Sequence, residues 1–334
     1  MAAYLQLRDQ DLPQAQAQLD QIAAALARAL ADVTVAGTPA TSGAQSGADV
    51  DIGSLLAGNT VNVSYLDRMT GQTRTITFMR VDDPGALPLS NDATAAAGDE
   101  VFGVNFSGGM ASVLSQMNNV LTARGLIAST TGGDTLRVLD NGSGRASLPS
   151  LSATHTASGL ADGTAQLPFF TDGTQLYTGA IASLGSQSVG LAGRISVNAA
   201  LLADPAKLVV YDAGTEAGNG TRPNFLLDGI SKASLTFSPA AGIGSKTTPY
   251  SGTIGSYLRQ MVSAQGQASE SARSLSDGQS VVLTSLQERF NDSASVNIDE
   301  EMSTLLQLQN AYAANARVLS TVQQMLQSLM SVIP

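Results

Sequence analysis

Side chains that do chemistry are sparse in this 334-residue chain. His155 is the single histidine. It sits in the polar stretch "SATHTASG", which reads as a surface loop, and no second His or any Cys is present from which to build an acid–base pair or a metal triad. The absence of cysteine also excludes disulfides and thiolate catalysis. Asp82–Asp83, Asp99–Glu100 and the neighbours Asp49 and Asp51 are the paired carboxylates. Such pairs bind calcium or carry out acid chemistry, but their turn-like surroundings read as ordinary exposed acids. "GIGSKTT" (242–248) lacks the G-x-x-x-x-G-K spacing of a phosphate loop, "GTEAGNG" (214–220) is too irregular for a dinucleotide fingerprint, and no G-x-S-x-G elbow occurs. No catalytic, cofactor-binding or metal-ligating residue is assigned, and no enzyme activity or cofactor is expected.

The pattern that does recur is helical. Near the C-terminus Leu305, Leu308, Tyr312, Asn315, Leu319, Val322, Leu326, Leu329 and Ile333 are separated by alternating steps of three and four, a seam of mean period 3.5. Asn297 with Glu300 three residues later has the form of a capping box, and Asp299, Glu300 and Glu301 complement the positive end of the helix dipole. A second seam follows Ser251: Ile254, Leu258, Met261, Gln265, Ala268, Ala272, Leu275, Gln279, Val282 and Leu286. Many of its positions are Ala or Gln, which permit close helix approach and amide bonding. Two readings of the terminal helix remain: half of a helical hairpin within one domain, or a helix whose core is completed only in an assembly.

Glycine and proline divide the chain. Residues 1–34 hold no Gly and one Pro, residues 35–249 hold 29 of the 33 Gly and nine of the 11 Pro, and residues 250–333 hold no Pro and four Gly. At the N-terminus Leu12, Ala15, Leu19, Ile22, Ala23, Leu26, Leu30 and Val33 share a helical face, with Asp11 placed as N-cap and Pro13 in the first turn. In the middle, "VNVSYLDRMTGQTRTITFMRV" reads as a hairpin turning near Gly71, "DTLRVLDNGSG" and "KLVVYDAG" as strands followed by turns, Met110 to Leu121 as a helix, and "VAGTPATSGAQSGA" (35–48) as a linker or loose loop. Met110, Met117, Met302, Met325 and Met330 read as core filler.

The expected class is α+β, with long N- and C-terminal helices forming a coiled-coil-like bundle around an inserted β-rich region. The expected divisions are 1–34, a helix of an inner shaft domain; 35–185, an outer, variable β-rich domain; 186–290, a return to the shaft; and 291–334, a terminal inner-tube helix. Residues 1–33 should pack antiparallel to 253–290. A net charge of −10 with only three lysines (Lys207, Lys232, Lys246) argues against nucleic acid as a partner. No run of 18 apolar residues suggests a membrane span, and no cleaved secretion signal opens the sequence.

The closing stretch "VNIDEEMSTLLQLQNAYAANARVLSTVQQMLQSL" resembles the C-terminus shared by flagellar axial proteins, carried by Asp299, Glu300, Glu301, Gln309, Tyr312, Asn315, Ala316, Arg317 and Val318. Within that superfamily, "YLQLRDQDLPQAQAQLDQIAAALARAL" (4–30), "LAGRISVNAALLADPAKLVVYDAG" (191–214) and "NGTRPNFLLDG" (219–229) are similar to segments of the hook-associated protein 1 family. The resemblance covers both ends and part of the middle, and is weak from about 35 to 185. It implies a structural component joining hook to filament, outside the cell, exported by the flagellar type III system. The implied partners are further copies of the chain in a ring, hook protein, the second junction protein, flagellin, and an export chaperone on the C-terminal helix. It also implies an N-terminal half, upstream of the first residue here, with a helix that pairs with the C-terminal one. Two other classes stay open: another axial protein, hook- or flagellin-like, and a carrier of a wall-modifying or adhesive outer domain.

Overall fold

The structure is a computed structural model and describes residues 2–294 and 297–331. The chain divides into two units, Met1–Glu270 and Ser271–Pro334. The class is α+β.

The first unit is organised on a helix near its start. α1 (Ala2–Gln6) runs through a π-helical turn, Leu7–Asp11, into α2 (Leu12–Ala31). Asp11 does not act as an N-cap: its backbone is helical and its side chain caps nothing, because helix already precedes it. Pro13 has no N–H for the preceding turn, and the widened π turn ahead of it leaves room for its ring. The buried surface of α2 is not a single apolar stripe. Leu12 and Leu19 are exposed, while Gln18 and Asp20 are buried. One flank places Ile22 and Ala25 in a cluster with Phe237, Ile243, Ile254 and Tyr257; another places Ala23, Ala24 and Ala27 against Tyr177 and Leu191.

The inward polar side chains of α2, Gln18 and Asp20 buried and Gln21 half-buried, bond to the chain around them. Asp20 accepts the backbone N–H groups of Gly190 and Ala192, both at 2.8 Å. Gln18 donates to the Ala241 carbonyl at 3.0 Å and accepts from Gln265 at 2.9 Å, and Gln21 accepts the Ser238 N–H at 3.1 Å.

From the end of α2 the chain passes into a β module. Its strands are β1 (Asp32–Ala36), β2 (Thr38–Ser42), β3 (Gln45–Asp51), β4 (Thr60–Asp67), β5 (Gln72–Arg80) and β6 (Glu100–Val104), then helix α3 (Gly109–Leu121), then β7 (Leu126–Thr130), β8 (Thr135–Asp140) and β9 (Ala146–Thr156). They form a five-stranded sheet, β1-β9-β4-β5-β6, parallel only between β5 and β6, and an antiparallel four-stranded sheet, β2-β3-β8-β7. Val50, Val63, Ile76, Met117, Leu136 and Leu151 belong to the single core shared by the two sheets and α3. The hairpin expected at Gly71 is β4–β5, with Gly71 at φ +69°, and the helix expected from Met110 to Leu121 is α3. Asn118 of α3 covers an edge of the smaller sheet, bonding both the N–H and the carbonyl of Ala128 at 2.8 Å.

Residues 35–48, expected as a loose loop, are instead the end of β1, β2 and the start of β3. Their small residues mark close backbone approach. Gly37 carries the chain from one sheet to the other: its N–H donates to the Leu151 carbonyl at 2.7 Å, and an added Cβ would stand 3.0 Å from that oxygen. A Cβ at Gly47 would lie 2.0 Å from the Val138 carbonyl oxygen. His155 is also in a strand, opposite Val33, and not in a loop.

β1 pairs with β9 so that Asp32 stands opposite Thr156, and the chain enters and leaves the module side by side. The junction is closed by hydrogen bonds. Thr156 Oγ1 donates to Asp32 at 3.0 Å, Asn59 Nδ2 donates to Thr156 Oγ1 at 2.9 Å, and the Ala157 N–H donates to the Ala31 carbonyl at 2.8 Å.

The returning chain, called the shaft here together with α2, is made of short pieces. β10 (Phe170–Asp172) lies between β11 (Gln175–Leu176) and β14 (Ile195–Val197), and β12 (Ile181–Ala182) pairs with β13 (Gly185–Ser186). Helices α4 (Ala199–Ala203) and α5 (Thr221–Ser231) follow, then the pair β15 (Leu235–Thr236) and β16 (Ser251–Gly252). The strand expected in "KLVVYDAG" is absent: Pro205–Leu208 is a 3₁₀ turn, and the carbonyls of Lys207 and Val210 face Arg222. That fully buried guanidinium donates to the carbonyls of Leu160, Lys207 and Thr164 at 2.6–2.8 Å and lies 5.4 Å from the Tyr211 ring centroid. Burial pushes it below its ordinary value, with Asp162 and Tyr211 opposing.

Two outcomes test this description. Arg222→Met strips the donors from several buried carbonyls at once and lowers unfolding free energy by about 3 kcal/mol in urea denaturation; a loss below about 1 kcal/mol would show that water replaces the guanidinium. The second concerns acid. Arg137 holds the Asp49 carboxyl below its ordinary value, and the backbone N–H groups of Ser46 and Met69 do the same for Asp140 and Asp67. Groups depressed in the folded state contribute stability that is present above their unfolded pKa, about 3.9 for Asp, and lost as pH falls through the folded value. The module's melting temperature therefore stays level from neutral pH to about 5 and falls below about 4. Asp49→Asn shallows that acid slope, read by thermal melts across pH.

Candidate assembly surface

The second unit holds the remainder of α6 (Ile254–Ala294) and all of α7 (Ile298–Met330). α6 starts where Thr253 Oγ1 accepts the Ser256 N–H at 3.2 Å. α7 starts as the sequence indicates: Asn297 is its N-cap, its side chain accepting the Asp299 N–H at 3.2 Å, with Asp299, Glu300 and Glu301 in the first turn. At about 1.5 Å per residue its 33 residues extend for about 50 Å.

The apolar seam of α7 is uncovered. Leu305, Leu308, Leu319, Val322, Leu326 and Leu329 are each about half exposed or more, and Tyr312 is 76% exposed. Asn315 lies among them and is exposed too. Ile333 falls outside the described residues. The methionines Met302, Met325 and Met330 are exposed and fill no core here, whereas Met117 is buried in the β module. Among the residues of 271–334 whose burial is described, Ala272 alone is half-buried and the rest are exposed. Among the described residues, these exposed aliphatic side chains gain no burial that repays ordering them.

The seam of α6 changes character along its length. Ile254 is buried, and Met261 packs on the cluster around Phe237 and Tyr257, whose rings stack 3.9 Å apart at 7°. Gln265 bonds to Gln18. Ile22 of α2 shares the cluster with Ile254 and Tyr257, so over this stretch α2 and the start of α6 meet in opposite sequence order. Leu258 lies off the packed side and is exposed; Ala268 is half-buried; Leu275, Val282 and Leu286 are exposed.

The residues considered for chemistry are occupied with structure. Asp49 forms a two-pronged pair with Arg137, both contacts at 2.7 Å, and Asp51 accepts the Gly53 N–H. Asp82 pairs with Arg80, and Asp83 accepts from Gly85 and Ser183. Asp99 is buried and accepts from Thr77 and Thr94 at 2.7 and 2.8 Å, while Glu100 pairs with Arg124. Among the described residues no group of three or more His, Cys, Asp or Glu is placed to hold a metal ion, and no helix is long and apolar enough to cross a membrane.

Residues 288–332 match the family model described as "Flagellar basal body rod FlgEFG protein C-terminal". No curated protein and no solved structure matches the chain. The matched stretch contains the whole of α7, so the uncovered helix and the segment similar to flagellar rod proteins are the same piece of chain.

Sequence reasoning located this helix but missed Gln18, Asp20, Asn59 and Arg222, which hold the first unit together. Their one visible signal was a polar residue embedded in an apolar run, as Gln18 and Asp20 are in α2.

Uncovered backbone exchanges quickly. In the isolated chain, amide hydrogen exchange across 298–330 is complete while Ile22 to Leu30 of α2 is still protected. Strong protection from Leu319 to Leu329 in a verified monomer would mean that the seam already has its partner.

Proposed function

We propose that this chain is a structural component of the bacterial flagellum, and more narrowly a hook-associated protein that helps to join hook and filament. The observation that carries the flagellar reading is the coincidence of the matched segment 288–332 with a helix whose apolar seam is uncovered. In this reading the seam Leu305–Leu308–Tyr312–Asn315–Leu319–Val322–Leu326–Leu329, continued by Ile333, packs against helices of neighbouring copies. The exposed part of the second seam, Leu275, Val282 and Leu286, joins the same coiled-coil-like bundle. The junction reading rests on the similarity of residues 4–30, 191–214 and 219–229 to the hook-associated protein 1 family. Its partners would be further copies in a ring, hook protein, the second junction protein and flagellin, with an export chaperone on the C-terminal helix before assembly. The protein would act outside the cell after type III export, and its role is mechanical and not enzymatic.

A second reading has its own support. The matching family is described as basal body rod, so a rod- or hook-type axial protein is the alternative. Immunogold labelling of purified flagella with hooks and basal bodies separates the two: a single band between hook and filament is the expected result, label along rod or hook favours the second, and unlabelled flagella would sink both.

Asn315 supplies a finer test. A polar residue in an apolar seam costs stability and fixes register, because a slipped pairing strands its amide. Asn315→Leu therefore raises the melting temperature of assembled helices while spreading the assembly over several sizes in size-exclusion chromatography. An unchanged size distribution would show that Asn315 does not set register.

A further inference from the structure

Among the described residues the β module and the shaft share no apolar core. Every residue of the module's cluster lies between Ala48 and Ala153, and neither of the two shaft clusters contains a module residue. Between them lies a cleft of about 490 Å³ with a mixed, mainly polar lining: Thr34, Thr60, Asn62, Thr77, Thr154 and the apolar Met79 from the larger sheet, and Gln21, Ala24 and Arg28 of α2 with Tyr177, Leu235 and Phe237 from the shaft. An open cleft with this polar share admits water and supplies little adhesion. The covalent root is two paired strands, Asp32 opposite Thr156. Beside it the backbones nearly touch: a Cβ at Gly58 would lie 2.5 Å from the Ala180 nitrogen, so this point has no room to slide.

Apart from the Arg28–Asp32 pair at the root, the side-chain ties between module and shaft among the described residues come from one loop, residues 81–99, between β5 and β6. At one end the Ser183 N–H, between β12 and β13, donates to Asp83 Oδ2 at 2.8 Å. At the other end Lys246 Nζ stands 2.9 Å from Asp92 Oδ1, and the pair borders a second crevice, of about 590 Å³. Both ties are exposed and polar. Their shaft ends, Ser183 and Lys246, are far apart in sequence.

We propose that the β module is a pivoting arm, rooted at Asp32 and Thr156 and latched to the shaft by Asp83 and Asp92. The latch holds one orientation. When it opens, the arm turns about its root as a rigid body over the wet cleft, and neither core is exposed. This device would give the chain compliance without unfolding. It concerns the first unit alone and holds whatever the terminal helix assembles with.

The full chain has no cysteine, so two introduced thiols report the angle without background. Spin labels at Met69→Cys, in the β4–β5 turn, and at Leu202→Cys, in α4, are both on exposed positions. Pulsed electron spin resonance of this pair gives a narrow distance distribution in the latched protein. Asp83→Ala combined with Lys246→Ala broadens it by roughly twofold as a second orientation becomes populated, with far-UV circular dichroism and the melting temperature unchanged. The swap Asp92→Lys with Lys246→Asp restores a narrow distribution compared with Lys246→Ala alone, and this second comparison decides the matter if the double variant loses structure. A distribution that is unchanged in the latch variants, or already broad in the latched protein, would overturn the proposal.

Discussion

Asp20 on α2 accepts two backbone N–H groups from the turn at 190–192, and the first unit depends on that contact. The turn precedes β14, which completes the small sheet against β10, and Leu191 is buried against Ala23 and Ala27 of the same helix. On the adjoining flank Gln18 and Gln21 hold Ala241 and Ser238, whose neighbours Phe237 and Ile243 receive Ile22. A buried carboxylate or amide tolerates only a partner at hydrogen-bond distance, so these side chains set position where alanines set only proximity. The helix is thereby fixed in rotation as well as in place, and the segments on both flanks inherit its register.

Arg222 does for the returning loops what Asp20 does for the turn. Loops at 160–166 and 207–211 have no ladder partners, and one planar, multiply donating group satisfies carbonyls from both. A cation serves here without a paired carboxylate because several carbonyl dipoles and the Tyr211 ring surround it. Two separate stretches of the returning chain meet at this point: Lys207 and Val210 belong to one, Arg222 to another.

The two parts of the first unit keep separate cores. The β module is closed by its own two-sheet core, so it can be carried on a two-strand root without borrowing apolar surface from the shaft. The exposed seam of α7 inverts this logic. A soluble domain hides such side chains, whereas α7 leaves them bare among the described residues.

Much of the local structure was legible in the sequence. Asn297 announced the start of α7, Gly71 the hairpin, and the three–four spacing the terminal helix, because caps, turns and helical period are set by neighbours within a few residues. Tertiary structure decided the rest. Residues 35–48 look like a linker in isolation, yet they are strands, because Gly37 and Gly47 are small where two backbones meet. "KLVVYDAG" has strand composition, yet its carbonyls turn toward an arginine that follows it in the chain. Leu12 and Leu19 lie outside while Gln18 and Asp20 lie inside, because burial follows what packs against the helix and not hydrophobicity alone. The sequence by itself determined α2, α3, α6 and α7, the turn at Gly71 and the apolar seam, whose information is local. Only the tertiary structure decided which polar groups are buried and which face of α2 is inner, since those depend on partners dozens to hundreds of residues away.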